Sequence, residues 1–243
     1  MLKFFFRNFL WHIKNFRYFS NFIIYYFYNI LSKIQKPFTN KFNPSTEWCI
    51  KNLSKKSLIK KKFLNQKSFK KIIFKKSKKS AANINLLFSI LKNNTSMKKV
   101  LETGVSYGYS SYAILKSIKE RNNSILYSID MPYVELSNFN YVGSVVPKRF
   151  RSKWNLIISP DLYGIKKINS QNLKFDLIHY DSDKSYYGRY KSYLKLHKML
   201  KKGGFFVSDD IGDNHAFKDF VRNKKISFFI TKYKNKYQGL FIK

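Results

Sequence analysis

The chain has 243 residues, 48 of them Lys or Arg against 13 Asp or Glu, for a formal charge of +35. That length fits one domain with an appendage better than two full domains. A hydrophobic content of 44% excludes a wholly disordered chain. The single cysteine, Cys49, excludes an internal disulfide framework and a Cys-rich zinc site. Residues 1–99 hold 23 basic side chains and one acid, Glu47, whereas 12 of the 13 acids fall in residues 100–243. A field of this sign draws the chain toward anionic lipid, nucleic acid or phosphorylated compounds, and net charge alone does not choose among them.

Residues 1–40 are crowded with aromatics, among them Phe4, Phe5, Phe6, Phe9, Trp11, Phe16, Tyr18, Phe19 and Phe22, punctuated by Lys and Arg. The uncharged run, Tyr18 to Ser32, is 15 residues long, short of the about 20 that a spanning helix needs. No small-residue cleavage site follows, so a cleaved leader is not expected. The mixture suits a helix lying in the headgroup region of an anionic membrane surface. A helix packed on the protein's own body is the alternative. The matching location is cytoplasmic, at the inner face of the membrane. Residues 41–79 form a second unit with 13 lysines between Lys51 and Lys79, interleaved with apolar residues at helical spacing, such as Ile59/Phe63 and Phe69/Ile72/Ile73. This is expected to be a helical or partly disordered arm. It carries no nucleic-acid recognition motif, which makes nucleic acid the weaker partner.

From residue 80 to 243 the pattern becomes regular. Ser80 is a candidate N-cap for a helix over 81–92, with Ile84, Leu87, Phe88 and Leu91 on one face. Short apolar runs follow at 99–103, 125–129, 154–158, 175–179 and 205–208, separated by amphipathic stretches. Such alternation predicts an α/β fold with a mostly parallel sheet. Two β-rich runs, 226–233 and 237–242, predict an antiparallel hairpin at one sheet edge.

The first strand leads into Glu102-Thr103-Gly104-Val105-Ser106-Tyr107-Gly108, whose small residues fall at i, i+2 and i+4. A dinucleotide fingerprint needs glycines at i, i+2 and i+5, and a P-loop needs Gly-Lys-Ser/Thr, so neither phosphate-binding pattern is met. Small residues admit close approach of backbone to a ligand, and Glu102 favours a cationic group. Asp130 closes the second strand, where a carboxylate can accept both hydroxyls of a ribose. The two features together point to an adenosine-containing ligand without phosphates. Further along, Asp181-Ser-Asp-Lys184 follows the fourth strand and Asp209-Asp210 the fifth. Loops at strand carboxyl ends share one rim, and an all-oxygen donor set suits Mg²⁺ or another hard divalent ion; loop-capping aspartates are the alternative.

These residues, Glu102 to Gly108, Asp130, the run Phe175 to Asp181, and Leu200 to Asp210 with its Gly203-Gly204 pair, resemble class I S-adenosylmethionine-dependent methyltransferases over about residues 80–243. The resemblance implies a Rossmann-like seven-stranded sheet with antiparallel last strands and S-adenosylmethionine as cofactor. It also implies that Glu102, Gly104, Ser106 and Gly108 line the methionine part, Asp130 the ribose and Asp161 the adenine. Ser106 stands where many members have glycine. The rim resembles that of the cation-dependent O-methyltransferases, in which Asp181, Asp209 and Asp210 would hold the cation and Lys184 would serve as the base. Asp210 here replaces an Asn of that pattern. The run Asp181–Tyr186 also resembles macrocin-type enzymes, where a His commonly occupies the place of Lys184.

A divalent ion would lower the pKa of an acceptor hydroxyl, and a desolvated Lys184 with a depressed pKa would take its proton. The function so implied is O-methylation of a sugar, a lipid-linked glycan or a small metabolite. Two alternatives are a membrane-binding module with an inactive methyltransferase-like domain and a nucleic-acid methyltransferase; the latter lacks an Asn-Pro-Pro-Tyr-type motif. Among the histidines, packing or surface roles suffice for His179 and His197, while His215 stands close enough to Asp210 to reach a substrate. Tyr186, Tyr187 and Tyr190 are expected as core or pocket wall, and Phe217 and Phe220 as core.

Overall fold

The computed structural model describes residues 2–64, 83–131 and 140–243. Seven strands form one sheet: β1 (Lys99–Thr103), β2 (Ile125–Asp130), β3 (Trp154–Ile158), β4 (Phe175–Tyr180), β5 (Leu200–Ser208), β6 (Phe228–Tyr233) and β7 (Lys236–Ile242). Their order is β3-β2-β1-β4-β5-β7-β6. The first five are parallel, and β7 runs antiparallel to both β5 and β6. This is the expected sheet, with its hairpin turned at Lys234, a residue of positive φ. The last two strands begin one or two residues away from the expected starts because pairing, not β-propensity, sets the boundary.

Both sheet faces are covered, as period-two side chains require. Leu101, Ile178 and Phe206 point into one layer. There they meet α3 (Thr46–Lys51), α7 (Asp161–Asn169), α8 (Tyr186–Met199) and α9 (Ala216–Asn223). Val100, Leu177 and Val207 point into the other, against α4 (Lys56–Phe63), α5 (Ile84–Asn93) and α6 (Tyr109–Ile118). Through its described part the lysine-rich segment therefore joins the core: Trp48 and Cys49 enter one layer, Ile59 and Phe63 the other. The spacing at Phe69/Ile72/Ile73 and the Ser80 cap lie outside the described residues. Asn83 caps α5, its side-chain oxygen accepting from the Leu86 amide at 3.2 Å.

At the N-terminus, α1 (Leu2–Lys14) and α2 (Phe19–Gln35) form a hairpin around a short 3₁₀ turn, Phe16–Tyr18. The rings of Phe5, Phe9 and His12 lie 5.1–5.7 Å from that of Phe22. The hairpin packs on the carboxyl-end side of the sheet. Tyr18 stacks edgewise on Tyr163 at 5.7 Å, Ser20 bonds to the Tyr163 hydroxyl, and Tyr28 lies 5.0 Å from Tyr187. Gln35 accepts from the Tyr187 hydroxyl at 3.1 Å. Among the described residues no helix is long and apolar enough to cross a membrane.

Gly104, at the tip of β1, has φ +84°, and a Cβ there would stand 2.2 Å from the backbone oxygen of Asp181. Both the left-handed conformation and the close approach demand glycine. Gly104→Ala is expected to cost roughly 3 kcal/mol or more, strain and overlap combined, read as a lowered urea midpoint. An unchanged midpoint would show that the β1 and β4 loops do not abut.

Candidate active site

The turn between β1 and α6 is built from three left-handed residues, Gly104, Ser106 (φ +50°) and Gly108 (φ +90°), the last being the N-cap of α6. A Cβ on Gly108 would lie 2.7 Å from the Cα of Gly143, so glycine is needed there as well. The turn curls over the end of β2. Gly104 N donates to Ile129 O at 2.9 Å, and Ser106 N donates to Asp130 Oδ2 at 2.9 Å. Burial pushes the Asp130 carboxyl up to about 6, partly offset by the amides of Ser106 and Val105. Asp161 opens α7 and accepts from the Ser182 hydroxyl and, at 3.4 Å, from the Asp183 amide. Burial pushes its carboxyl up to about 7. It is thus spoken for by the β4 loop.

Glu102 is fully buried, its Oε2 accepting from Ser111 and Ser128 hydroxyls at 2.5 and 2.9 Å. Ser128 in turn accepts from the Trp154 indole at 2.9 Å. On the other side, Glu102 Oε1 lies 3.5 Å from Nδ1 of His179, and His179 Nε2 lies 3.2 Å from Asp209 Oδ2. A polar row therefore crosses the sheet from β3 through β2, β1 and β4 to the end of β5. Burial opposes a charge on His179, but hydrogen bonding and attraction to Asp209 and Glu102 outweigh it and raise the imidazole to about 10. His179 is accordingly an imidazolium held between two carboxylates. The sequence implies packing for His179, its one signal being a histidine inside an apolar strand; that Glu102 stands beside it in register is visible only in the sheet.

Asp181 and Asp209 converge at the rim. One ligand atom from each of His179, Asp181 and Asp209 lies within 4.8 Å of the others. Both His179 nitrogens already face carboxylates, so its place is behind Asp209, not beside an ion. Asp209 Oδ1 is buried without a partner and remains available. Asp210, at φ +56°, pairs with Lys184 at 3.0 Å and Lys236 at 2.8 Å. Beneath it, the fully buried Arg189 donates to the Asp210 carbonyl at 2.7 Å. Lys184 also pairs with Asp181. Burial disfavours the Lys184 charge, but Asp181 and Asp210 outweigh it and hold the ammonium's pKa above the ordinary lysine range. This corrects the expected depressed pKa: two carboxylates flank the amine, and a proton acceptor needs the opposite surroundings.

Beside Lys184 lies a cleft of about 200 Å³. Tyr186 and Tyr187 of α8 and Phe42 form its walls, Asn214 adds an amide, and α2 contributes Tyr28, Asn29 and Ser32. The α2 contribution was not foreseen; its signal was the polar and hydroxyl side of an otherwise apolar helix. Asn214 also donates to the Lys184 carbonyl at 2.8 Å, tying the two rim loops together. His215 is not among the cleft residues, its ring standing 3.4 Å from the Lys218 amine. Phe217 and Phe220 are core.

A family model described as O-methyltransferase matches residues 52–225, that is 174 of the 243 residues. A search of curated proteins by sequence finds no match. Among solved structures, the chain is similar to the O-methyltransferase from Bacillus cereus in complex with SAH, at 12% identity and a TM-score of 0.56, covering 78% of this chain and 92% of that one. It is also similar to an SAH-bound methyltransferase from Podospora anserina, at 15% identity and a TM-score of 0.52, covering 82% and 93%.

Removing the imidazolium strands two carboxylates in the core. His179→Ala is expected to lower unfolding free energy by about 3–5 kcal/mol, measured by urea denaturation at neutral pH. Wild-type stability in that variant would show that Glu102 and Asp209 do not share a proton-bearing ring.

Proposed function

The chain belongs to the O-methyltransferase family, and on that premise we propose that it transfers the methyl group of S-adenosylmethionine to a hydroxyl of a small-molecule or glycan acceptor held in the cleft beneath α2. The observation that carries this reading is the contact of two loops: Gly104 lies directly against the Asp181 backbone, and Asp181 N donates to Thr103 O at 2.9 Å. A cofactor clasped by the first loop thus sits beside the acids and the ammonium of the second.

In this reading Gly104, Ser106 and Gly108 bring backbone close to the methionine part, and Asp130 receives the ribose hydroxyls. Asp161, engaged with Ser182, fixes the start of α7 along the adenine side. The sulfonium methyl is already activated, so the protein's task is to align it with an oxygen and manage that oxygen's proton. Lys184 is immobilised between Asp181 and Asp210 and offers positive charge to the oxygen as its proton leaves. Asp181, whose pKa burial raises and Lys184 draws back down, is the proton acceptor. A hard divalent cation fits the oxygens of Asp181 and the open Oδ1 of Asp209, and would supply acidity to a hydroxyl it binds. Asp210 stays with its two lysines. The aromatic walls and the amides of Asn29 and Asn214 suit a sugar or an aromatic alcohol.

Two measurements test the division of roles. By calorimetry, Asp130→Asn should weaken S-adenosylmethionine binding by roughly 10²-fold, two charge-assisted hydrogen bonds being lost. Asp181→Asn should spare binding and remove S-adenosylhomocysteine formation from a panel of hydroxylated acceptors, with and without Mg²⁺. Equal effects at both positions, or absence of binding by the wild type, would refute the proposal.

The pH dependence follows from Asp130. Its pKa in the free protein is about 6, and the ribose favours the ionised form. Affinity should therefore be flat above about pH 7 and fall by up to about tenfold for each pH unit below 6. Asp130→Asn should abolish that slope; its persistence in the variant would assign it to another group.

A further inference from the structure

The helix that walls the acceptor cleft has a second, apolar face. On α2 the cleft side carries Tyr28, Ser32 and Gln35, while Ile23, Phe27, Ile30 and Ile34 are all more than half exposed. Their spacing of four, three and four residues places them in one stripe, roughly 180° around the helix from Ser32. On α1, Phe6, Leu10 and Ile13 repeat the same spacing and are about half exposed, and Phe16 at the turn is 76% exposed. Phe38, just beyond α2, is 84% exposed. So large a contiguous apolar surface on a folded domain marks a docking face.

We propose that this face seats the protein on an anionic lipid surface, while the opposite side of the same helix walls the cleft. Charge selects this occupant. Residues 1–46 hold seven Lys or Arg and no Asp or Glu, so the segment that bears the apolar stripes contributes positive charge alone. Anionic headgroups complement that field, whereas a second copy of a chain carrying +35 is repelled by it. Arg17 lies 4.6 Å over the ring of Tyr18 at the hairpin turn, an aromatic–cation pairing fit for headgroup depth. With no helix among the described residues able to span, the hairpin lies in the interface, its apolar side toward the acyl chains. Seating does not depend on methyl transfer; it sets α2 between the lipid and the cleft.

Sedimentation with phosphatidylcholine vesicles, with and without phosphatidylglycerol, tests this at low and physiological ionic strength. The full chain should partition onto the anionic vesicles, more weakly at higher salt. The variant Phe27→Ser/Ile30→Ser keeps net charge and alters only exposed side chains. Its vesicle affinity should fall at least about tenfold, while its S-adenosylmethionine affinity, the control for folding, stays at the wild-type value. Three results overturn the proposal: no partitioning of the wild type, equal partitioning of the variant, or a wild-type dimer in sedimentation equilibrium that the variant abolishes.

Discussion

The imidazolium of His179, shared between Glu102 and Asp209, is the interaction on which the site rests. Four of the five parallel strands contribute to the buried row, and the fifth ends at it through Asp209. Such a row has a large desolvation cost and holds only because each charge has a partner of opposite sign. It fixes the register of the strand tips relative to one another. The glycine-bearing loop after β1 and the acid-bearing loops after β4 and β5 inherit their spacing from it.

Above the row, the same accounting of charge continues toward the surface. Asp210 is neutralised by Lys184 and Lys236, its backbone carbonyl by Arg189, and Asp181 by Lys184. At this rim the pairing is specific: Asp181 and Asp210 share Lys184, and Asp210 also holds Lys236. This leaves Asp209 Oδ1 as a buried carboxylate oxygen without a partner, next to Asp181. Any cation entering the rim meets that oxygen and competes with Lys184 for Asp181.

Periodicity alone placed the sheet well. The parallel strands and the final hairpin stand within two residues of their expected bounds, because buried strands leave short apolar runs with clear ends; β5 alone starts five residues earlier, at Leu200, where pairing extends through the polar residues 201–204. The turn at Gly104 and Gly108 was legible as a place of close backbone approach, and the structure adds that both glycines are left-handed. Interactions distant along the chain were not legible. His179 takes its charge from Glu102, 77 positions earlier, and from Asp209, 30 later. Nor does the sequence show that Asp181 and Asp210 both flank Lys184, which raises its pKa against the lowering effect of burial. The α2 contribution to the cleft was not legible because composition does not say which side of a helix meets another element: Phe27 and Tyr28 are neighbours, yet one is exposed and the other lines the cleft.

The wall formed by Tyr28, Asn29 and Ser32 belongs to a helix that shares no backbone hydrogen-bonding ladder with the sheet. Substitutions on that wall can reshape the space offered to an incoming molecule while Asp130 and its glycine-rich turn stay as they are. The division gives the protein two separable parts, a sheet edge whose turns are set by the core and an awning, α2, that can change without disturbing it.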